Sequence, residues 1–389
     1  MRKRFLSLLM AMCLMLTLAP AAFATDATMD ETTFRNAVAA GGEVVLTGNV
    51  TLTSKLTINK AVVIDGTSNQ YAINYTGSQN VAIEINTNDQ VDMYDLTIKA
   101  TATNDRGIDL LSSSPHILLE NVTMNVNARG ISFKQDGDAT DAVVELYESH
   151  ILNSRVTGDY AENTAIGDLR GISLFDTKNC KITLESSSIK GFGYSINLTG
   201  TKDSTTNTVD FEETEVNVIN SDIFGWTAFN VWSSDTIFNI RGSHLRGINP
   251  SYGSWDSFAI IVVNDDIYNQ FDNSHADACT FNITNTLIDN FIPAEKLEAQ
   301  IEAGAITVEF LFRIDSEGVT EANMTDVTFK DNTDVLGCAF IAGNGNYTQA
   351  FYDYIMGNEN DARFVWRTPA VSTYSDGETE LPLVVVLAS

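Results

Sequence analysis

The stretch that decides the fold is Glu43 to Asp65, EVVLTGNVTLTSKLTINKAVVID. Val44, Val45 and Leu46 form a short apolar run that ends at Thr47-Gly48. Val50 and Leu52 then alternate with Thr51 and Thr53, and Leu56 and Ile58 with Thr57 and Asn59. Val62, Val63 and Ile64 close the set before Asp65-Gly66 turns the chain. Apolar, β-branched residues at period two, in runs of three or four between small polar corners, predict very short strands. No strand of that length buries an apolar face alone, so the coils of chain are expected to stack on one another.

The rest of the chain repeats the idea. Alternating strand pairs around Asn or Ser occur at 91–98, 117–124, 143–151, 182–189, 216–223, 238–245 and 281–288. A second pattern is Arg106-Gly-Ile-Asp-Leu110, Arg129-Gly-Ile-Ser-Phe133 and Arg170-Gly-Ile-Ser-Leu174, with echoes at Tyr194–Leu198 and Phe258–Val262. Repeats of tens of residues signal a solenoid or propeller. Units made only of strands point away from helix-containing solenoids.

With its opening helix followed by GGEVVLTGNVTLTSKLTINKAVVIDG, the chain resembles right-handed parallel β-helix proteins of the pectate-lyase-like superfamily. The resemblance implies an all-β fold, a right-handed parallel β-helix with an N-terminal capping helix and one or two small accessory helices. It specifies fold far more than activity, because that fold hosts lyases, hydrolases, esterases, adhesins and tailspikes.

Residues 1–24 read as a secretory signal peptide: Arg2-Lys3-Arg4, an apolar run from Phe5 to Leu18, and Ala22-Phe23-Ala24 as the cleavage site. The apolar run is shorter than a membrane span requires. Export, in a bacterial style, is therefore expected, with no membrane span. Segment 25–42 is expected to cap the solenoid, 43–345 to form it, and 346–389 to close its far end. Asp30 to Ala40 reads as a helix, with Asp30 as N-cap, Phe34 and Val38 at i, i+4, and Gly41-Gly42 as the stop. Further helices are expected at 293–304 and 348–356, and corner loops at 136–141, 158–168 and 199–207.

The chain holds 23 Lys and Arg against 51 Asp and Glu, a net charge of −28. Loss of Arg2, Lys3 and Arg4 with the leader makes it −28 − 3 = −31. Such a field argues against nucleic acid and anionic membrane partners, and against an unaided polyanionic substrate. Cys180, Cys279 and Cys338 remain after the leader, which carries Cys13. Cys180 and Cys279 fall in phase with inward residues and lie 279 − 180 = 99 residues apart, roughly four rungs at about 25 residues each, so free thiols in the interior are expected and no disulfide. No Cys/His cluster predicts a metal site. No cofactor is expected; Ca2+ would suit the acidity, but no motif specifies it.

The motifs of the superfamily's enzymes are mostly missing. Of the four polygalacturonase motifs only Asp265-Asp266 is present, and Asp222-Ile-Phe-Gly225 falls one residue short of the pectin esterase pattern. Three features remain. Arg106, Arg129 and Arg170 share one repeat position, which in stacked rungs makes a ladder about 4.8 Å apart; it is expected to pair with acids such as Asp105 and Asp168, or to meet acidic groups of a glycan. Tyr252 and Trp255 lie in a Gly/Pro/Ser-rich corner, where an exposed ring can stack on a sugar. Arg241, His244 and Arg246 precede that corner, and Asp256, Asp265 and Asp266 follow it.

The sequence thus predicts an exported protein that binds extracellular polysaccharide or surface glycan without catalysis, through Tyr252, Trp255, Arg241, Arg246 and Asp256. The alternative is a polysaccharide lyase or glycoside hydrolase using Asp265, Asp266 and His244, the last as a base.

Overall fold

The structure is a computed structural model that describes residues 27–133, 139–156, 169–175, 177–199, 214–232, 236–247, 261–263 and 279–290, together with strands at 309–314, 319–325, 328–330, 338–341, 372–375 and 380–386. The fold is a parallel β-helix. Its strands form three stacks, called here sheets I, II and III in the order the chain visits them on each turn. A strand-to-parallel-strand crossing takes the right-handed sense.

Sheet I comprises Gly42–Val45, Val62–Asp65, Gln90–Tyr94, His116–Glu120, Val143–Tyr147, Lys181–Glu185, Glu215–Ile219, Ile237–Arg241, Cys279–Thr284 and Val319–Thr325. Sheet II runs from Thr28–Met29 and Asn49–Leu52 through Ala72–Tyr75, Thr97–Ala100, Thr123–Val126 and His150–Asn153 to His244–Gly247, Leu287–Asn290 and Thr328–Lys330. Sheet III holds Leu56–Ile58, Val81–Ile85, Arg106–Leu110, Arg129–Phe133, Arg170–Phe175, Ile261–Val263, Glu309–Ile314 and Cys338–Ile341. Two long strands, Ser188–Thr199 and Asp222–Trp232, serve sheets II and III at once, so those two sheets are continuous there. The last pairing breaks the rule: Glu380–Val386 lies antiparallel to both Cys338–Ile341 and Ser372–Ser375.

The register turns the sequence repeats into columns. On sheet I, Val62, Val91, Ile117, Val144, Ile182, Val216, Phe238 and Phe281 stack in one inward file, all fully or nearly fully buried. The Phe238 and Phe281 rings lie parallel with centroids 4.4 Å apart. Sheets II and III supply matching files, such as Ile73, Ile98, Met124 and Ile151, and Ile83, Ile108, Ile131 and Ile172. Each such side chain contributes about 1.5–3 kcal/mol by burial, which is how strands of four residues hold together.

The corner from sheet I to sheet II explains the Asn/Ser motif. In seven successive rungs two residues make the bend. The first is left-handed: Asp95, Asn121, Glu148, Ser186, Asn220, Gly242 and Asn285, with φ between 46° and 60°. The second points inward: Leu96 and Val122, then Ser149, Ser187, Ser221, Ser243 and Thr286. From Ser149 onward these hydroxyls form an internal ladder. Ser187 Oγ accepts the Ser149 amide at 3.1 Å and donates to a carbonyl of its own or the preceding rung, and Ser221 and Ser243 repeat the scheme. Buried hydroxyls are thereby satisfied.

The Arg-Gly motif has an equally local cause. It opens the sheet III strand at the second corner. A Cβ on Gly107 would stand 2.7 Å from the Gly130 carbonyl oxygen, and one on Gly130 would stand 2.5 Å from both the Gly171 oxygen and Ile151 Cγ2. Only a residue without a side chain fits between the rungs.

Helix α1, Glu31–Ala40, sits where the sequence places it. Asp30 accepts from the Thr33 amide at 2.8 Å, Gly41 ends the helix at φ 78°, and Phe34 and Val38 join the core. The expected helices at 293–304 and 348–356, and the leader, lie outside the described residues.

Several expectations need correction. Part of the expected loop at 136–141 is strand: Ala139–Thr140 pairs with Thr177–Lys178. The echo at Phe258–Val262 is out of phase by one residue, because Phe229 pairs with Ile261, not Ile260; a one-residue slip exchanges the two faces of a strand. Cys180 and Cys279 belong to rungs three apart, not four, since loops lengthen the turns between them. Cys180 is buried and free.

Candidate functional site

The three corners are not equivalent. The I-to-II corner is a fixed two-residue bend over seven rungs. The longer connections flank sheet III: residues 154–169, 248–260 and 291–308 lead into it, and 200–213 and 264–278 lead out of it. Long connections on a rigid scaffold are where solenoids carry function. The outer face of sheet III is therefore the first place to look.

Strand alternation aims one residue per rung outward there: Glu84, Asp109, Ser132, Ser173, Asn197 and Asn230, in register. The last five of these are buried although they are polar. Arg106 grips Asp109 with two nitrogens, Nε at 3.1 Å and Nη2 at 2.5 Å. Lys55 pairs with Glu84 at 2.6 Å. Asn230 donates to Asn197 Oδ1 at 2.8 Å, and Asn197 donates to Thr199 at 2.7 Å and Ser173 at 3.4 Å. Ser132, only 3 % exposed, has no hydrogen-bond partner for its hydroxyl among the described residues. An unsatisfied buried hydroxyl amid a satisfied row is the kind of exception that calls for an explanation.

The arginine column borders this row. Arg129 pairs in register with Arg170 and Arg170 with Tyr194, whose ring centroid lies 4.4 Å from the Arg170 guanidinium carbon. The expected pairing of Arg106 with Asp105 is not formed. Asp105 is buried, accepts from the Ala102 amide at 3.2 Å, and has its pKa raised by burial. Asp168 lies outside the described residues.

Sheet II places the residues flagged before the aromatic corner. His244 and Arg246 are outward residues of His244–Gly247, in register with Asp222 and Phe224. The His244 ring meets Phe224 edge-on at 4.7 Å. Lys190 and Arg246 both approach the Phe224 ring, at 4.4 and 5.2 Å. Lys190 also pairs with Asp222 at 2.7 Å. His150 Nδ1 lies 2.9 Å from Ser188 Oγ. Arg241 ends its sheet I strand, exposed, just before Gly242. Tyr252, Trp255, Asp256, Asp265 and Asp266 lie outside the described residues, so their convergence with His244 stays an expectation.

The sequence reading missed the outward row on sheet III. Its signal was present in the motifs already quoted: the fourth residue of Arg-Gly-Ile-Asp, Arg-Gly-Ile-Ser and Tyr-Ser-Ile-Asn is always small and polar. It also missed His150 and Ser188, which register alone brings together from 38 residues apart. Among the described residues no group of His, Cys, Asp or Glu could hold a metal ion, and no helix is long and apolar enough to cross a membrane.

No family model and no curated protein matches the chain. Among solved structures it is similar to the A-module of the mannuronan C-5 epimerase AlgE4 of Azotobacter vinelandii, at 14% identity over 79% of this chain and 93% of that one, with a TM-score of 0.39. It is similar also to the A-module of the epimerase AlgE6 of the same organism, at 11% identity over 81% and 93%, with a TM-score of 0.40.

Proposed function

We propose that the protein binds a linear extracellular polysaccharide along the outer face of sheet III, the chain of the ligand running parallel to the solenoid axis. The observation that carries this reading is the sheltered polar row Asp109, Ser132, Ser173, Asn197 and Asn230. It presents carboxylate, hydroxyl and amide groups once per rung, over about 19 Å at about 4.8 Å per step. Sugar hydroxyls are donors and acceptors at a comparable repeat, and hydrogen bonds formed away from bulk water are stronger. Arg129 and Arg170, one column over, supply positive charge to an otherwise acidic protein. Binding needs no acid/base pair, in keeping with the missing hydrolase motifs.

The test is a glycan array together with a polysaccharide-degradation screen of the mature chain, repeated with Asn197→Ala and Ser132→Ala. Binding to one polysaccharide class, weakened at least tenfold by Asn197→Ala with the melting temperature retained, supports the reading. Unaltered affinity in both folded variants overturns the placement on sheet III.

A further inference from the structure

Beyond that reading, and on a different sheet, we propose that Ser188 and His150 form an acyl-transfer dyad that hydrolyses short-chain O-acyl esters. Sheet II stacks His150, Ser188, Asp222 and His244 in one outward column over four successive rungs. Ser188 Oγ and His150 Nδ1 lie 2.9 Å apart, within the reach a base needs on a nucleophile. With the imidazole proton on Nε2, the serine hydroxyl donates to Nδ1. His150 is exposed, so its far edge is open to solvent and substrate, while Ser188 sits low between its neighbours at 5 % exposure. A nucleophile so placed admits a small, unbranched acyl group.

The surrounding charges suit the chemistry. Partial burial of the ring and the Lys190 charge lower the His150 pKa, which favours the neutral imidazole, able to accept a proton. The Asp222 charge acts the other way and favours the imidazolium once it forms. Lys190, two residues beyond Ser188 on the same face, is held by Asp222 at 2.7 Å and places a positive charge beside the reacting carbonyl.

The reaction balances with water as the only co-reactant. Ser188 Oγ bonds to the acyl carbon while its proton passes to His150 Nδ1. The ester C–O bond then breaks, and the departing oxygen takes that proton and leaves as the alcohol. Water next attacks the acyl-serine, giving a proton to His150. The carboxylic acid leaves, and the proton returns to Ser188 Oγ.

Diisopropyl fluorophosphate labelling with peptide mass spectrometry, and p-nitrophenyl acetate hydrolysis, test this on the mature chain. The expected results are a phosphoryl adduct on Ser188, a loss of hydrolysis of at least 100-fold in Ser188→Ala, and a similar loss in His150→Gln. The wild-type rate should fall only below the ordinary histidine pH range, which a structural role for His150 would not produce. If Ser188→Ala does not fold, His150→Gln decides, because its exposed side chain is replaceable. No adduct on Ser188, or wild-type turnover in His150→Gln, overturns the proposal. Neither result bears on polysaccharide binding at sheet III.

Discussion

Gly130 lies directly under Gly171, so close that a methyl group on Gly130 would stand 2.5 Å from the Gly171 carbonyl oxygen and from Ile151 Cγ2. The contact ties sheet III to sheet II at one of the two corners where loops interrupt the chain. Gly130→Ala should therefore destabilise the protein by about 1–3 kcal/mol, the usual cost of overpacking a filled interior. Urea unfolding followed by circular dichroism measures it. A midpoint equal to wild type would mean that the rungs separate there freely.

Ser187→Ala removes the acceptor of the buried Ser149 amide. The expected loss is about 1–3 kcal/mol, the cost of one unsatisfied buried donor. Ser221→Ala should behave alike, because Ser221 accepts from Ser187 in the same manner. If alanine at both positions left the urea midpoint unchanged, the hydroxyl ladder would be incidental to stability.

His150 gives a pH dependence of defined sign. Its folded pKa is lowered by burial and by Lys190, with Asp222 opposing and Ser188 as its hydrogen-bond partner. The folded state thus resists a proton that the unfolded state accepts. The stability this gives is fully present above the ordinary histidine value, and is lost as pH falls from there to the lowered folded value. His150→Gln should flatten the fall in urea midpoint between about pH 7 and pH 5. An equal fall in wild type and variant would assign the acid sensitivity to other groups.

Residues 25–389, unfolded without reductant, should titrate three thiols, since Cys180, Cys279 and Cys338 are all that this segment contains. Three rungs between Cys180 and Cys279 amount to about 14 Å, twice the Cα separation a disulfide tolerates. In the native protein Cys180 should react slowest: it is buried, and burial raises its pKa. Only one reactive thiol in the unfolded chain would disprove the register.

The repeat was legible because each rung repeats the same local constraints. Period-two apolar residues mark the inward files, Asn or Ser marks a left-handed bend, and Arg-Gly marks a corner too tight for a Cβ. The rung lengths were not legible, because inserted loops leave no periodic trace; hence four rungs were expected where three separate Cys180 from Cys279. The site was harder still. His150 and Ser188 meet only through pairing between turns, and the shift from Ile260 to Ile261 shows how one loop residue changes which face a side chain takes. Arg106 was recognised as a paired cation, but its partner, Asp109, is three residues along its own strand and not the adjacent Asp105.

The uniform bend between sheets I and II has a mechanical consequence. Seven identical two-residue corners, each continuing the backbone hydrogen bonds from rung to rung, weld two walls into an angle beam with no hinge along its length. Along those seven rungs the variation in turn length falls on the third wall. Segments there can be lengthened, exchanged or grafted without re-tooling the beam, so the protein offers a rigid straight-edge on which one side alone is free to change.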